Sequence, residues 1–488
     1  MLDSLKILFV ASEVAPHVKT GGLGDVANAL PSALRRRGHD VRIAMPCYGA
    51  VPKENRGRRV GAFAVTTGSR TRRGVLREAQ LPDVGAPMYL VEYDPFFRRD
   101  HPYGCGGKEY ADNLERFCFF SRAVLEGVAQ TGWKPDVVHC NDWHTAGVPA
   151  FLKTDYAGHP VWDGMPTVFT IHNLGYQGRY TAALFSKTGL DSELFTPKCF
   201  EFRGEINLLK GGIACANKIN TVSRTYAREI QTSAYGHGLD GFLRSRRDDL
   251  TGIVNGIDYD EWCPAHDSMI ASRYSAEDIS GKQRCKASIR EEIGLAPSEA
   301  PLFCMVSRLV WQKGVDLLVD ALDRFLDRDV QLMVLGTGEG KYEESFERAS
   351  ARGPRQVAYI KGYDEPLAHR FYAGADFFLM PSLTEPCGLS QMYGLTYGTI
   401  PIVRQTGGLA DTVTDVTPAN LSKGRATGIV FRPPTADALL RAVLRAIRLY
   451  ENPDALQNVR RAGMKEDLSW ERASEEYVAL YREALRSA

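Results

Sequence analysis

Between Ala375 and Val413 the chain runs twice through one pattern, ADFFLMPSLTEPCGLSQMYGLTYGTIPIVRQTGGLADTV. An apolar run, Phe377 to Met380, meets an acidic loop from Thr384 to Cys387 and a glycine, Gly388, that can open a helix. A second short run, Ile400 to Val403, then meets a glycine pair, Gly407 and Gly408. Two strand-to-loop-to-helix turns in close succession bring backbone N–H groups and a carboxylate to the C-terminal edge of a parallel sheet. That edge is where α/β proteins bind ligands, so the stretch predicts both the fold class and a binding site.

The pattern has a distant counterpart. Thr406-Gly407-Gly408-Leu409-Ala410-Asp411 echoes Thr20-Gly21-Gly22-Leu23-Gly24-Asp25, which follows the strand-like run Ile7 to Ala11. Both copies fall at a predicted loop-to-helix junction, which predicts similar jobs in two similar domains facing each other. The length agrees, since 488 residues exceed one ordinary core and suit two α/β domains.

A hydrophobic fraction of 44% and a charged fraction of 24% are those of a soluble globular protein. The net charge of +1 gives no nucleic-acid footprint, and Arg35 to Arg37 read as a solvated helix end. The basic stretch Arg56 to Arg73, set among Gly and Thr, reads as a mobile loop able to meet an anionic or sugar ligand. Ten scattered cysteines without a Cys-x-x-Cys indicate neither a disulfide framework nor a zinc site. No apolar run approaches the ~18 residues of a membrane span, and the N-terminus enters a strand in place of a signal peptide. A reducing cytoplasm is the simplest address.

Along the chain, Lys6 to Ala11, Val41 to Met45, Asp136 to His139, Thr167 to Ile171, Lys218 to Val222 and Thr251 to Ile257 read as strands of a first domain. Helices are predicted at Asp25 to Arg37, with Pro31 bending it or shifting its start, at Tyr110 to Ala129 and at Gly211 to Asn217. A polar stretch from Tyr259 to Pro301, with one helix near Lys282 to Ile293, marks the boundary. The second domain alternates again: strands at Leu302 to Val306, Val330 to Leu335 and Val357 to Ile360, and a helix at Val315 to Phe325. The tail, Ser469 to Ser487, is an amphipathic helix carrying Trp470, Ala473, Tyr477, Leu480 and Ala484 on one face. The predicted divisions are 1–257, 258–465 and a C-terminal helix, 466–488, that packs back on the first domain.

The chemistry collects at strand ends. Lys19 lies in the long loop Glu13 to Gly22, just before two glycines that let a backbone approach a phosphate or sugar. Asn141-Asp142-Trp143-His144 and His172-Asn173 follow strands, and polar plus aromatic residues there suit a sugar; Trp143, His139 and His144 have equally good structural readings. Arg308 and Lys313 flank the loop before a helix N-terminus and make a diphosphate cradle. Leu335-Gly-Thr-Gly-Glu-Gly departs from the dinucleotide fingerprint and reads as close helix-to-strand packing with one ligand contact. Asp258-Tyr-Asp260 matches a metal-holding Asp-x-Asp, but it follows the turn signal Asn255-Gly256 and is taken as structural, so no metal is expected.

Taken together these motifs resemble those of the bacterial glycogen synthases and related plant starch synthases, retaining glucosyltransferases of the GT-B fold with two Rossmann-like domains facing each other across a cleft. The resemblance rests on Lys19-Thr-Gly-Gly-Leu-Gly-Asp-Val26, His172-Asn173, Val254-Asn255-Gly256-Ile257-Asp258, Ser307-Arg308-Leu309 with Gln312-Lys313-Gly314, and Pro381-Ser382 with Glu385-Pro386-Cys387-Gly388-Leu389. It implies that Lys19 and Gly22 contact the sugar nucleotide and that Arg308 and Lys313 bind its diphosphate. It further implies that Glu385 meets the glucose hydroxyls beside the N–H groups of Cys387, Gly388 and Leu389. His172 and Asp142 would face the transferred glucose, with Asn173 and Asn255 also at the substrate, and Tyr363 would lie near the adenine. Position 393 departs from the wider GT-B pattern, carrying Tyr393 where a second Glu would fall.

The reaction so implied moves glucose from ADP-glucose to the non-reducing 4-hydroxyl of an α-1,4-glucan, with retention and without a cofactor. Front-face transfer and a covalent intermediate both remain open. The rivals are another GT-B hexosyl transfer or epimerisation with a UDP-sugar, and a non-catalytic glucan-binding protein. Neither a nucleic acid nor a membrane is an expected partner.

Overall fold

A strand of about five residues that is apolar on both faces is satisfied only inside a sheet covered on both sides by helices. This chain builds two such sheets. The computed structural model describes residues 4–67, 70–82 and 85–487, and these divide into two compact units. The first unit takes the chain to Val222, then Ala227–Ile253 and the segment from Trp470 onward; the second takes Ser223–Tyr226 and Val254–Ser469.

In the first unit, strands Lys6–Val10 (β1), Asp40–Pro46 (β2), Arg58–Thr67 (β3), Arg70–Gln80 (β4), Pro87–Glu92 (β5), Val137–Asn141 (β6), Thr167–Ile171 (β7), Lys218–Thr221 (β8) and Leu250–Gly252 (β9) form one sheet. Its order is β9-β8-β7-β6-β1-β2-β5-β4-β3, parallel from β9 to β5 and antiparallel over β4 and β3. Helix Gly22–Arg36 (α1) crosses from β1 to β2 with Pro31 inside it. Asn113–Ala129 (α2) and Leu208–Cys215 (α3) precede β6 and β8.

Two expectations fail in this unit. The basic stretch Arg56 to Arg73 is not a loop: it runs from a short 3-10 turn into the edge strand β3 and its neighbour β4, with Gly68 and Ser69 outside the described residues. Phe63, Val65 and Thr67, with Arg72 opposite Val65, are buried on one face, while Ala64, Thr66, Thr71 and Arg73 are exposed on the other, a period-two pattern disguised by its charge. The strand expected over Thr251 to Ile257 pairs only as Leu250–Gly252, because the chain then leaves the sheet. Ile257 makes just an isolated bridge to Ser469.

The second unit holds Leu302–Val306 (β10), Gln331–Gly336 (β11), Val357–Lys361 (β12), Phe377–Met380 (β13), Ile400–Arg404 (β14) and Ile429–Phe431 (β15). They form an all-parallel sheet in the order β12-β11-β10-β13-β14-β15. Alternate residues feed two separate cores: Phe303 and Met305 enter one, Leu302, Cys304 and Val306 the other. Val315–Leu326 (α4), Glu365–Gly374 (α5), Ser390–Thr396 (α6) and Gly407–Thr412 (α7) follow β10, β12, β13 and β14.

The last helix, Trp470–Arg486 (α8), returns to the first unit and lies against α1 and β6 to β8. Its polar edge carries Glu471, which accepts Arg36 Nε at 2.8 Å, Ser474, which accepts Arg37 Nε at 2.7 Å, and Glu475, which accepts Arg37 Nη2 at 2.5 Å. The basic end of α1 is therefore a docking edge, not merely a solvated helix end. Beneath it, His139 bonds Tyr481 OH at 2.8 Å and Thr170 Oγ1 at 2.6 Å, a structural role for that histidine. Among the described residues no helix is long and apolar enough to cross a membrane.

Candidate active site

In the first unit the polar residues expected from the sequence gather at the C-terminal ends of β1, β6 and β7. Asp142, just past β6, has a φ of 55°, a left-handed conformation that costs a non-glycine residue roughly 1–3 kcal/mol. The neighbours that hold it there are specific. Its N–H donates to Thr170 O at 3.0 Å, and its Oδ1 accepts the His172 N–H at 2.8 Å. Burial lifts the Asp142 carboxyl to about 7, against the pull of the His172 and Asn173 N–H groups. Burial lowers His172 to about 3, so its imidazole is neutral at physiological pH. Its Nε2 bonds Asn141 Oδ1 at 3.0 Å, and Asn141 is itself pinned to Val10 O. Asn173 Oδ1 accepts the Gly175 N–H at 2.9 Å and shapes the loop after β7.

Lys19, on the loop after β1, and Gly22, the first residue of α1, are exposed, with Lys19 Nζ 2.7 Å from Asp25 Oδ1. A residue that the sequence reading passed over holds this loop. Buried Glu13 accepts Thr20 N at 2.5 Å and Thr20 Oγ1 at 2.6 Å, and Tyr103 OH donates to it at 2.6 Å. A Cβ added at Gly21 or Gly22 would meet nothing within 4 Å. The two glycines thus leave a bare stretch of backbone facing open space.

In the second unit a pocket of about 280 Å³ opens past the ends of β10, β11 and β13. Arg308, Lys313, Thr337, Tyr363 and Ser382 line it. Gly314 reaches a φ of 66° between Lys313 and α4, where a Cβ would lie 2.1 Å from Pro381 O; only glycine lets the two loops close so tightly. Lys313 Nζ lies 2.6 Å from Glu385 Oε2, which also accepts Ser382 Oγ at 3.0 Å. Arg308 is exposed at the rim. Gly336 and Gly338 allow the close approach of Ser307 O and Leu309 O, so what packs tightly on this glycine run is the loop after β10 in place of the expected helix, and Thr337 between them lines the pocket.

Past Glu385, Cys387, Gly388 and Leu389 continue the same loop, with the Cys387 thiol pushed up to about 12 by burial and facing the Asn255 backbone. The Asn255 Oδ1 is buried without a partner among the described residues. The Asp258 carboxylate accepts the Asp260 N–H at 2.9 Å, the turn that the structural reading of that pair anticipates.

The far wall of the pocket was invisible in the sequence. Trp262, from the polar stretch between the domains, stacks on Tyr393 at 3.9 Å and on His369 at 3.8 Å. His369 Nδ1 is fixed by Asp267 Oδ2 at 2.8 Å. The ring of Tyr393 thus belongs to an aromatic wall. Tyr363, 64% exposed, stands on the pocket's lining as well.

Two family models match this chain: one described as the starch synthase catalytic domain, over residues 6–245, and one described as glycosyl transferases group 1, over residues 288–463. Glycogen synthase 2 of Geobacter sulfurreducens is 47% identical over 484 residues, 98% of this chain and 99% of its own. The glycogen synthase of Syntrophotalea carbinolica is 45% identical, covering 99% of each chain. Among solved structures, the catalytic domain of starch synthase IV from Arabidopsis thaliana, bound to ADP and acarbose, superposes with a TM-score of 0.88 at 34% identity, over 99% of this chain and 100% of its own. A sucrose-phosphate synthase from Thermosynechococcus elongatus, at a TM-score of 0.60 and 17% identity over 99% and 100% of the two chains, shares the fold alone.

Proposed function

The chain belongs to the glycogen and starch synthase family of GT-B glucosyltransferases, and from that premise we propose that it extends an α-1,4-glucan with glucose from ADP-glucose. The observation that carries the donor reading is a pocket lined by the two cations Arg308 and Lys313, with the Glu385 carboxylate 2.6 Å from Lys313 Nζ. A glucosyl diphosphate needs both kinds of group: cations for the phosphates, a carboxylate for the sugar hydroxyls. The aromatic wall of Trp262 and Tyr393, with Tyr363, suits a nucleobase.

In transfer, the bond from the anomeric carbon to the leaving phosphate breaks and one to the acceptor 4-hydroxyl forms, with the acceptor proton passing to the departing phosphate. Negative charge grows on the diphosphate, and Arg308 and Lys313 stabilise it. Positive charge grows on the sugar ring, and Asp142 stabilises it in those molecules whose carboxyl, raised to about 7, is ionised, while neutral His172 offers a hydrogen bond to a hydroxyl. Ten cysteines without a disulfide suit the cytoplasm as the place of work.

The test is incorporation of glucose into glycogen from ADP-glucose or UDP-glucose, in EDTA. Strong incorporation from ADP-glucose alone is the expected result. Incorporation from UDP-glucose alone would overturn the base, and none from either would overturn the activity. Arg308→Ala and Lys313→Ala should each lower turnover on the order of 10²-fold, since a charge-assisted hydrogen bond in a closed site is worth ~2–3 kcal/mol and ~1.4 kcal/mol is tenfold. Near-normal turnover in either variant would remove that residue from the diphosphate.

A further inference from the structure

We propose that Gln391 is a positioning residue that aims the backbone N–H groups of Gly388 and Leu389 at the transferred sugar; the proposal rests on the donor reading above. Gln391 is fully buried on α6, where a long polar side chain is costly unless its donors are used. They are used on backbone. Its Nε2 donates to Cys387 O at 3.2 Å and to Gly388 O at 2.9 Å, and lies 3.1 Å from Thr412 Oγ1. Two carbonyls around one terminal atom require that atom to be the nitrogen, which settles the orientation of the carboxamide.

A trans peptide is planar, so its C=O and the N–H of the next residue point in opposite directions. Pinning the carbonyl of Cys387 toward Gln391 therefore turns the N–H of Gly388 away from it. Pinning the carbonyl of Gly388 does the same for the N–H of Leu389. Neither N–H donates to another described residue. Gly388 has a φ of 73°, and Leu389 follows at φ −109° and ψ −34°, a left-handed residue before a right-handed one. Successive N–H groups in that conformation converge on one point and bind an oxygen carrying negative charge or a lone pair.

Two glycines make room for this geometry. A Cβ at Gly388 would lie 2.4 Å from Gln391 Oε1, and one at Gly408 would lie 2.0 Å from Cys387 O. The carboxamide, the glycine at 388 and the glycine at 408 form one packed unit. Its outward product is a pair of aimed donors beside Glu385.

The experiment compares the full-length protein with Gln391→Met, which keeps the length and loses the donors, and with Gln391→Glu, which keeps the shape and repels both carbonyls. If Gln391 positions the sugar site, the Met variant binds ADP within about twofold of the wild type by calorimetry, while its kcat with ADP-glucose falls tenfold or more. The Glu variant, which reads the same effect should the Met variant not fold, falls at least as far in kcat with ADP binding again retained. Wild-type kcat in a folded variant, or ADP affinity lost in step with kcat, would overturn the proposal. Failure of the donor reading looks different: the wild type itself would neither bind ADP nor transfer from ADP-glucose, and both proposals would fall.

Discussion

Asp142 shows how much of a residue's chemistry is decided by its surroundings. Its identity and its place after a strand are legible in the sequence, but not its strained φ or its burial. Burial raises its carboxyl from an unfolded value near 3.8 to about 7. A raised folded value means that the folded protein holds the proton more tightly than the unfolded chain does. The stability contributed by Asp142 is therefore complete below about 3.8 and is lost as pH rises through about 7. Subtracting the unfolding free energy of Asp142→Asn from that of the wild type should give a difference that declines between pH 4 and 8, by up to about 1.4 kcal/mol per pH unit. A flat difference would mean an ordinary carboxyl. His172 works in the opposite sense below about 6.5 in both proteins, so the subtraction removes it.

Elements were the most legible level. β7, β10 and β13 run over the residues that their apolar patterns predict, because a strand covered on both faces advertises itself as a short apolar run. The echoed hexapeptides were legible as helix starts, and α1 and α7 do begin at Gly22 and Gly407. Their jobs nevertheless differ. Gly408 is demanded by packing, since a Cβ there would lie 2.0 Å from Cys387 O, while Gly22 faces open space. Gly408→Ala should thus lower both the melting temperature and turnover, whereas Gly22→Ala should leave the melting temperature within about 2 °C and raise the KM for the donor. Equal effects of the two substitutions on melting temperature would contradict this assignment. Such a distinction escapes any reading of the hexapeptide, because it lies in what stands opposite.

At the scale of the whole molecule, the proposed donor residues Arg308, Lys313 and Glu385 all lie in the second unit, and a ligand that they hold should stabilise that unit first. ADP at about 100 times its Kd adds roughly 2.7 kcal/mol to whatever binds it. Hydrogen exchange with ADP is expected to slow at 305–313, 336–337, 362–363 and 382–393, and to stay unchanged in β3 and β4. Protection confined to the first unit would move the nucleotide away from the second. The sequence alone was enough for the buried parallel strands β1, β2, β6 to β8 and β10 to β14, for two α/β domains and for the motif residues, but not for the edge of the first sheet, because periodicity and turn chemistry act over a few neighbouring positions. Only the tertiary structure decided that Trp262, His369 and Tyr393 stack into one wall, that Glu13 clasps the Lys19 loop and that Gln391 orients two peptide planes. Those pairings join residues whose own neighbourhoods carry no mark of the partner, and folding alone brings them within hydrogen-bond or stacking distance.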